Sequence, residues 1–266
     1  MRPYISAFRM SLSEQVTYRF GFFFARLRGL FVLVTLFFVW SAVSMKTGFF
    51  AGYSREELMT YVFGAHILRS LVFGSQSRRI ASEIHDGTFS LFLVRPVNHF
   101  LFYYARELSE RLLLGFFAVL EVGIIVVFFD STFLFPSHLS VFFFVFLSVF
   151  LSHMLYYCMS YGMSMLAFWS REAMGPRFLF EWILEFLSGA FFPVSIVATN
   201  VALVFLFFAL PFIYLVFMPL TIYLERVPGN QLFLSFVWQG MWIAIVAGLL
   251  RALWRRGLRA YTGEGI

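Results

Sequence analysis

Cysteine occurs once in the chain, at Cys158, and lysine once, at Lys46. A lone thiol forms no internal disulfide and has no partner for a thiolate metal site. A lone lysine leaves little room for a phosphate-binding loop. Such a loop needs Gly-x-x-x-x-Gly-Lys-Ser/Thr, so that backbone N–H groups and the lysine hold phosphates. Here Met45 precedes Lys46, so the chain carries no ATPase motif of its own. The five histidines show no His-Glu-x-x-His spacing, which speaks against a membrane metalloprotease. Charge is scarce as well: Asp, Glu, Lys and Arg make up 13% of residues, against about 25% in soluble domains. Two stretches, Ser131–Ser170 and Phe186–Leu224, contain none of the four.

What fills the chain instead is apolar. Hydrophobic residues are 61% of the total and phenylalanine alone contributes 40. A soluble chain of this length cannot bury so much apolar surface, so lipid is part of its solvent. Uncharged runs near the length that crosses about 30 Å of hydrocarbon mark the spans. They fall at about 29–45, 58–77, 112–129 and 139–168, then from about 178, and finally at about 230–250. The second is interrupted by His66 and Arg69, and the third holds Glu121. Pro193, Pro211 and Pro219 break the uncharged region 188–224 into short helices that dip back from the outer face. Ahead of the spans, Ile5, Phe8, Leu12 and Val16 recur at helical spacing. That pattern predicts an amphipathic helix at the membrane surface within residues 1–28. The same 28 residues hold five arginines and no cleavable apolar core, so no signal peptide is expected. The expected fold is an all-α integral membrane protein of six transmembrane helices, forming a single transmembrane domain over 1–266.

Orientation follows from the basic residues. With the N-terminus inside, 17 of the 20 lysines and arginines face the cytoplasm, and only Lys46, Arg55 and Arg226 lie outside. The net charge of +6 therefore reads as membrane orientation, with no nucleic-acid partner implied. Both termini are then cytoplasmic, and so is the loop at 75–106. That loop contains ASEIHDGTFSLFLVRP, residues 81 to 96. Gly87 can end a helix running in from the second span, and Pro96 discourages helix at Arg95. Between them, residues 88–94 suit a short helix whose apolar side rests under the bundle, with Glu83, His85 and Asp86 facing the cytoplasm. The alternative is a solvated loop with no partner.

The order Glu83, Gly87-Thr88, Leu91, Arg95-Pro96 resembles the first cytoplasmic loop of permeases of type-2 ATP-binding-cassette (ABC) exporters. LSGAFFPVSIV, with Gly189 and Pro193, and LPFIYLVFMPL resemble that family's fifth span and outer re-entrant helices. WRRGLRAYTGEG, with Tyr261, resembles its basic tail. His85-Asp86 and the abundance of Phe are departures from the pattern. The resemblance covers nearly the whole chain and implies the transmembrane subunit of an exporter in a bacterial plasma (inner) membrane. It implies a second permease chain, identical or sister, and a separate ATPase subunit that binds ATP and Mg, so this chain needs no cofactor. The loop would couple the two through Glu83, Gly87, Thr88, Leu91, Arg95 and Pro96, with Arg171 and Glu172 of WSREAMGPRF as a lesser contact.

Glu121, Glu181 and Glu185 remain. Acids in lipid face the bundle interior or water. These three either line the translocation path or pair structurally with Arg69, Arg106 or Arg177. An ion- or proton-coupled secondary transporter also fits such acids, although no internal repeat of the kind those folds carry is visible.

Overall fold

A computed structural model describes residues 2–45, 48–74, 76–170, 174–197 and 200–261. It is nearly all helical. In chain order come α1 (Arg2–Thr17), α2 (Arg19–Met45), a two-stranded hairpin of β1 (Phe49–Phe50) and β2 (Tyr53–Ser54), and α3 (Arg55–Val72). Next are α4 (Gln76–His85), α5 (Ser90–Leu93), α6 (His99–Phe128), α7 (Leu139–Ser164) and α8 (Met174–Leu187). The last are α9 (Val201–Ala209), α10 (Phe217–Tyr223) and α11 (Gly229–Ala260).

Among the described residues, four helices are long and apolar enough to cross a membrane: α2, α6, α7 with the 3-10 turn after it, and α11. α7 with its turn covers the expected run 139–168, while α2, α6 and α11 extend beyond the apolar runs of the sequence. The helix at 112–129 starts at His99, where the Asn98 side chain accepts the Leu101 N–H at 3.0 Å and caps the first turn. The last helix runs on through the arginines to Ala260. The surface helix ends at Thr17, and α2 takes up the chain at Arg19, so Arg26 and Arg28 lie within the membrane-length helix. The remaining two expected spans are shorter elements. α3 opens on a capping box between Ser54 and Glu57 and is about 27 Å long at 1.5 Å per residue; α8 is about 21 Å. Most of α3 is covered by protein. Among its described residues, the region 188–224 consists of short pieces: 3-10 turns at Val194–Ile196 and Phe212–Tyr214, with α9 and α10. Ile213 through Val216 are fully buried, in one cluster with residues of α3, α7 and α8.

The two ends of the bundle differ. At one, the hairpin, the turn before α11 and the loop before α7 meet. There Arg226 lies 3.9 Å from the centre of the Tyr53 ring and pairs with Glu57 at 3.2 Å. At the other end α1, α4, α5, the first turns of α6 and the ends of α7 and α11 converge. Here α1 packs along α6. The face it turns to α6 is Ala7, Ser11 and Glu14. The Ser11 hydroxyl donates to the Arg106 carbonyl at 3.1 Å, and the Ser109 hydroxyl donates to the Phe8 carbonyl at 2.9 Å. Small residues allow that close approach, and of the apolar stripe Ile5 and Val16 are left 53% and 72% exposed while Phe8 and Leu12 are half-buried.

Candidate functional site

The loop between α3 and α6 is built from the α4 end inward. Ile80, Ala81 and Ile84 lie on one face of α4 and are fully buried beside Met165 and Phe168. Gly74, just before α4, lies so close to Glu107 that any side chain there would collide with the carboxylate. That carboxylate accepts the Gln76 N–H at 2.9 Å and so caps α4 from a neighbouring helix. The helix stops at Gly87, whose φ of 75° is one that L side chains rarely adopt. The Phe89 N–H then returns to the Glu83 carbonyl at 2.9 Å.

Phe89 is the keystone of the loop. Its side chain is fully buried, and its ring centre lies 5.1 Å from that of His99, 5.6 Å from Phe168, 5.7 Å from Trp254 and 5.3 Å from Tyr261. One residue therefore touches α6, the end of α7 and the end of α11. All four pairs are edge-to-face, the favoured arrangement for rings. The Tyr261 hydroxyl completes the mount: it donates to the Gly87 carbonyl at 2.8 Å and accepts the Ser90 N–H at 3.2 Å. The outward side of the loop is different in kind. Leu91 is 54% and Val94 81% exposed, Leu93, Thr88, Arg95 and Pro96 are exposed too, and the Arg95 guanidinium stands 5.8 Å over the Phe92 ring. The result is a short apolar ridge with one cation, held on an aromatic platform.

The expected helix at 88–94 is a single turn, Ser90–Leu93. Glu83 needs correction. It does not face outward: its side chain is only 19% exposed and receives the Tyr103 hydroxyl, with Arg79 at 3.6 Å and His99 at 4.0 Å. Burial raises its carboxyl above the ordinary value, while the Tyr103 bond and then Arg79 work against that rise. Asp86 is the exposed acid of the segment, and its carboxylate accepts the Ser82 hydroxyl at 2.9 Å. Arg171 and Glu172 lie outside the described residues.

Each intramembrane acid has a partner. Glu121 on α6 is held by the Arg26 guanidinium in a two-pronged contact, one prong being Nε–H to Oε1 at 2.8 Å. His66 Nε2 on α3 lies 2.8 Å from its other oxygen, and Arg26 also donates to the Ser70 hydroxyl at 3.3 Å. Glu185 pairs with Arg69, whose guanidinium also sits 4.8 Å over Phe191. Glu181 pairs with Arg177 one turn back and with Arg78 of α4 at 3.5 Å. Arg106, by contrast, pairs with Glu14 of α1. Sequence reasoning misses Arg26 as a partner because it precedes the apolar run. The usable signal is that a charge inside a membrane-length helix needs a countercharge at its own depth. A second buried group also escapes the sequence. Arg111 lies 3.2 Å from Glu107 and 2.6 Å from Glu110, and Gln76 Nε2–H donates to Glu110 at 2.9 Å. These contacts tie α4 to α6.

The architecture is that of a multi-pass helical membrane protein whose exposed loop is seated on the ends of three long helices. Residues 30–265 match the sequence model of a family described as ABC-2 family transporter protein. The chain belongs to that family and is an ABC transporter permease, a transmembrane component without an ATPase motif of its own. No curated protein and no solved structure matches it.

Proposed function

We propose that this chain is the translocating subunit of an ATP-driven ABC exporter, coupled through α5 to a separate ATPase that binds ATP and Mg. The observation that supports this best is the Leu91–Pro96 ridge on its aromatic platform. Apolar side chains kept in water on a rigid support suit a partner's groove. Movement of that partner against α5 is passed by Phe89, Trp254 and Tyr261 to α6, α7 and α11 together, which is how nucleotide-driven closure would reach the spans. In this reading Glu83 is a positioning residue, because it fixes α4 to Tyr103 and leaves the contact itself to the ridge. Arg171 and Glu172 would add the lesser contact. A second permease, identical or sister, completes the path for a cargo still to be identified. α3 and α8 supply the second and fifth passes, and the short helices of 188–224 re-enter from the outer face. The chain sits in a bacterial plasma membrane with both termini inside. The ion pairs at Glu121, Glu181 and Glu185 support a structural part for these acids more than a proton-carrying one.

Two measurements test this. Leu91→Asp with Val94→Asp is expected to weaken ATPase retention on the purified permease by tenfold or more, since about 1.4 kcal/mol is one decade. Asp130→Ala, at the far end of the bundle, is the control. Undiminished retention by the double variant would remove α5 from the interface. For orientation, Val94→Cys and Ser137→Cys in a Cys158→Ser background should label from opposite sides in intact cells. Reaction of Val94→Cys with an impermeant reagent applied outside would reverse the topology.

A further inference from the structure

α1 presents three surfaces. One is the seam of Ala7, Ser11 and Glu14 on α6. Beside it runs the stripe Ile5, Phe8, Leu12 and Val16, and at about 100° per residue Arg2 and Arg9 fall along that stripe's far edge. Both arginines are exposed, as is Arg19 at the start of α2. The only acid in the first 28 residues is Glu14, and it is already engaged by Arg106. An apolar stripe bordered by cations with no carboxylate beside them, one residue from a membrane-length helix, matches the edge of an anionic bilayer.

The seam also leads somewhere. Glu14 is shared: one partner, Arg106, is 1% exposed and fixed in α6, and the other is Arg79 of α4, at 3.3 Å. Arg79 is shared in turn, with its Nε 3.6 Å from Glu83 on the same helix. Glu83 is held by Tyr103, and its carbonyl takes the Phe89 N–H. A displacement of α1 therefore changes how Arg79 divides itself between Glu14 and Glu83, and Glu83 stands at the base of the loop that carries α5.

We propose that α1 is a docking surface for anionic lipid, and that its seating is transmitted through Glu14, Arg79 and Glu83 to the loop of α4 and α5. The functional consequence rests on the coupling role given to that loop, but the physical linkage does not, so it is measured on the permease alone. Full-length protein is placed in nanodiscs of phosphatidylglycerol or of phosphatidylcholine, and amide hydrogen exchange is followed at residues 80–94. Exposed ion pairs are worth a factor of about two to five, so exchange there should be slower by that factor in the anionic discs. The difference should vanish at high salt, where the Debye length contracts to about 3 Å. Arg79→Gln should abolish the difference at 80–94 while the amides of α1 still respond to the anionic lipid. Arg2→Gln with Arg9→Gln, both exposed and remote from the core, should abolish it at both places. Equal exchange in the two lipids overturns the proposal, as does a lipid response at 80–94 that survives Arg79→Gln. If Arg79→Gln fails to fold, the wild-type comparison and the Arg2, Arg9 variant decide alone. ATPase retention by the Leu91, Val94 variant tests the coupling role separately, so failure of either idea is visible without the other.

Discussion

Phe89→Ala is expected to cost about 3–5 kcal/mol of local stability, the usual penalty for emptying a buried aromatic site. The side chain is fully buried among rings from α6, α7 and α11, and nothing else in the loop occupies that space. The loss should fall on the α4–α5 unit rather than on the whole bundle, because local units open independently of the global fold. Tryptic cleavage after Arg79 in α4 should accelerate while the thermal unfolding of the spans moves little. In the assembled transporter, ATP hydrolysis should persist with transport lost, since an unmounted α5 can be gripped without pulling on the helices behind it. Phe89→Leu keeps most of the apolar volume and should show a smaller effect on both measures. Unchanged proteolysis and transport in Phe89→Ala would mean that the aromatic platform does not carry force.

That keystone is only half legible in the sequence. The loop, its glycine and its apolar turn stand out because polar residues are rare in this chain. Which phenylalanine points inward does not, since Phe89, Phe92 and their neighbours are alike as letters. The inward residue is chosen by Gly87: its left-handed φ returns the chain over Glu83 and drops the next-but-one side chain into the bundle. Tyr261 stands out in the tail, yet its partner lies 171 residues earlier in sequence, at Ser90, and no local pattern encodes such a pairing. The four long helices are legible for a simpler reason, because lipid demands continuous apolar runs. The ends of α2, α6 and α11 are not, because a helix continues into water for as long as caps and neighbours satisfy it. On α1 periodicity finds the apolar stripe and misses the seam of Ala7, Ser11 and Glu14, whose meaning depends on the helix opposite.

The charges within the bundle lead to the second large effect. Arg26→Ala should destabilise the permease by about 3–5 kcal/mol, the cost of stripping one member from a buried ion pair. Glu121 would keep only His66 and lose a two-pronged guanidinium contact that joins α2 to α6. Glu121→Ala should cost about as much, because it strands Arg26 beside Ser70 and His66. The pair changed together separates the two roles open to this acid. Arg26→Met with Glu121→Leu removes both charges and keeps the volume, a replacement that is commonly neutral or stabilising by about 1–4 kcal/mol. If the triad only ties helices together, the double variant should unfold in detergent at or above the wild-type temperature and still transport in proteoliposomes. If Glu121 serves the translocation path, the double variant should be as stable but inactive. A double variant as unstable as either single one would contradict the pairing itself, because coupled residues must show a nonadditive cycle.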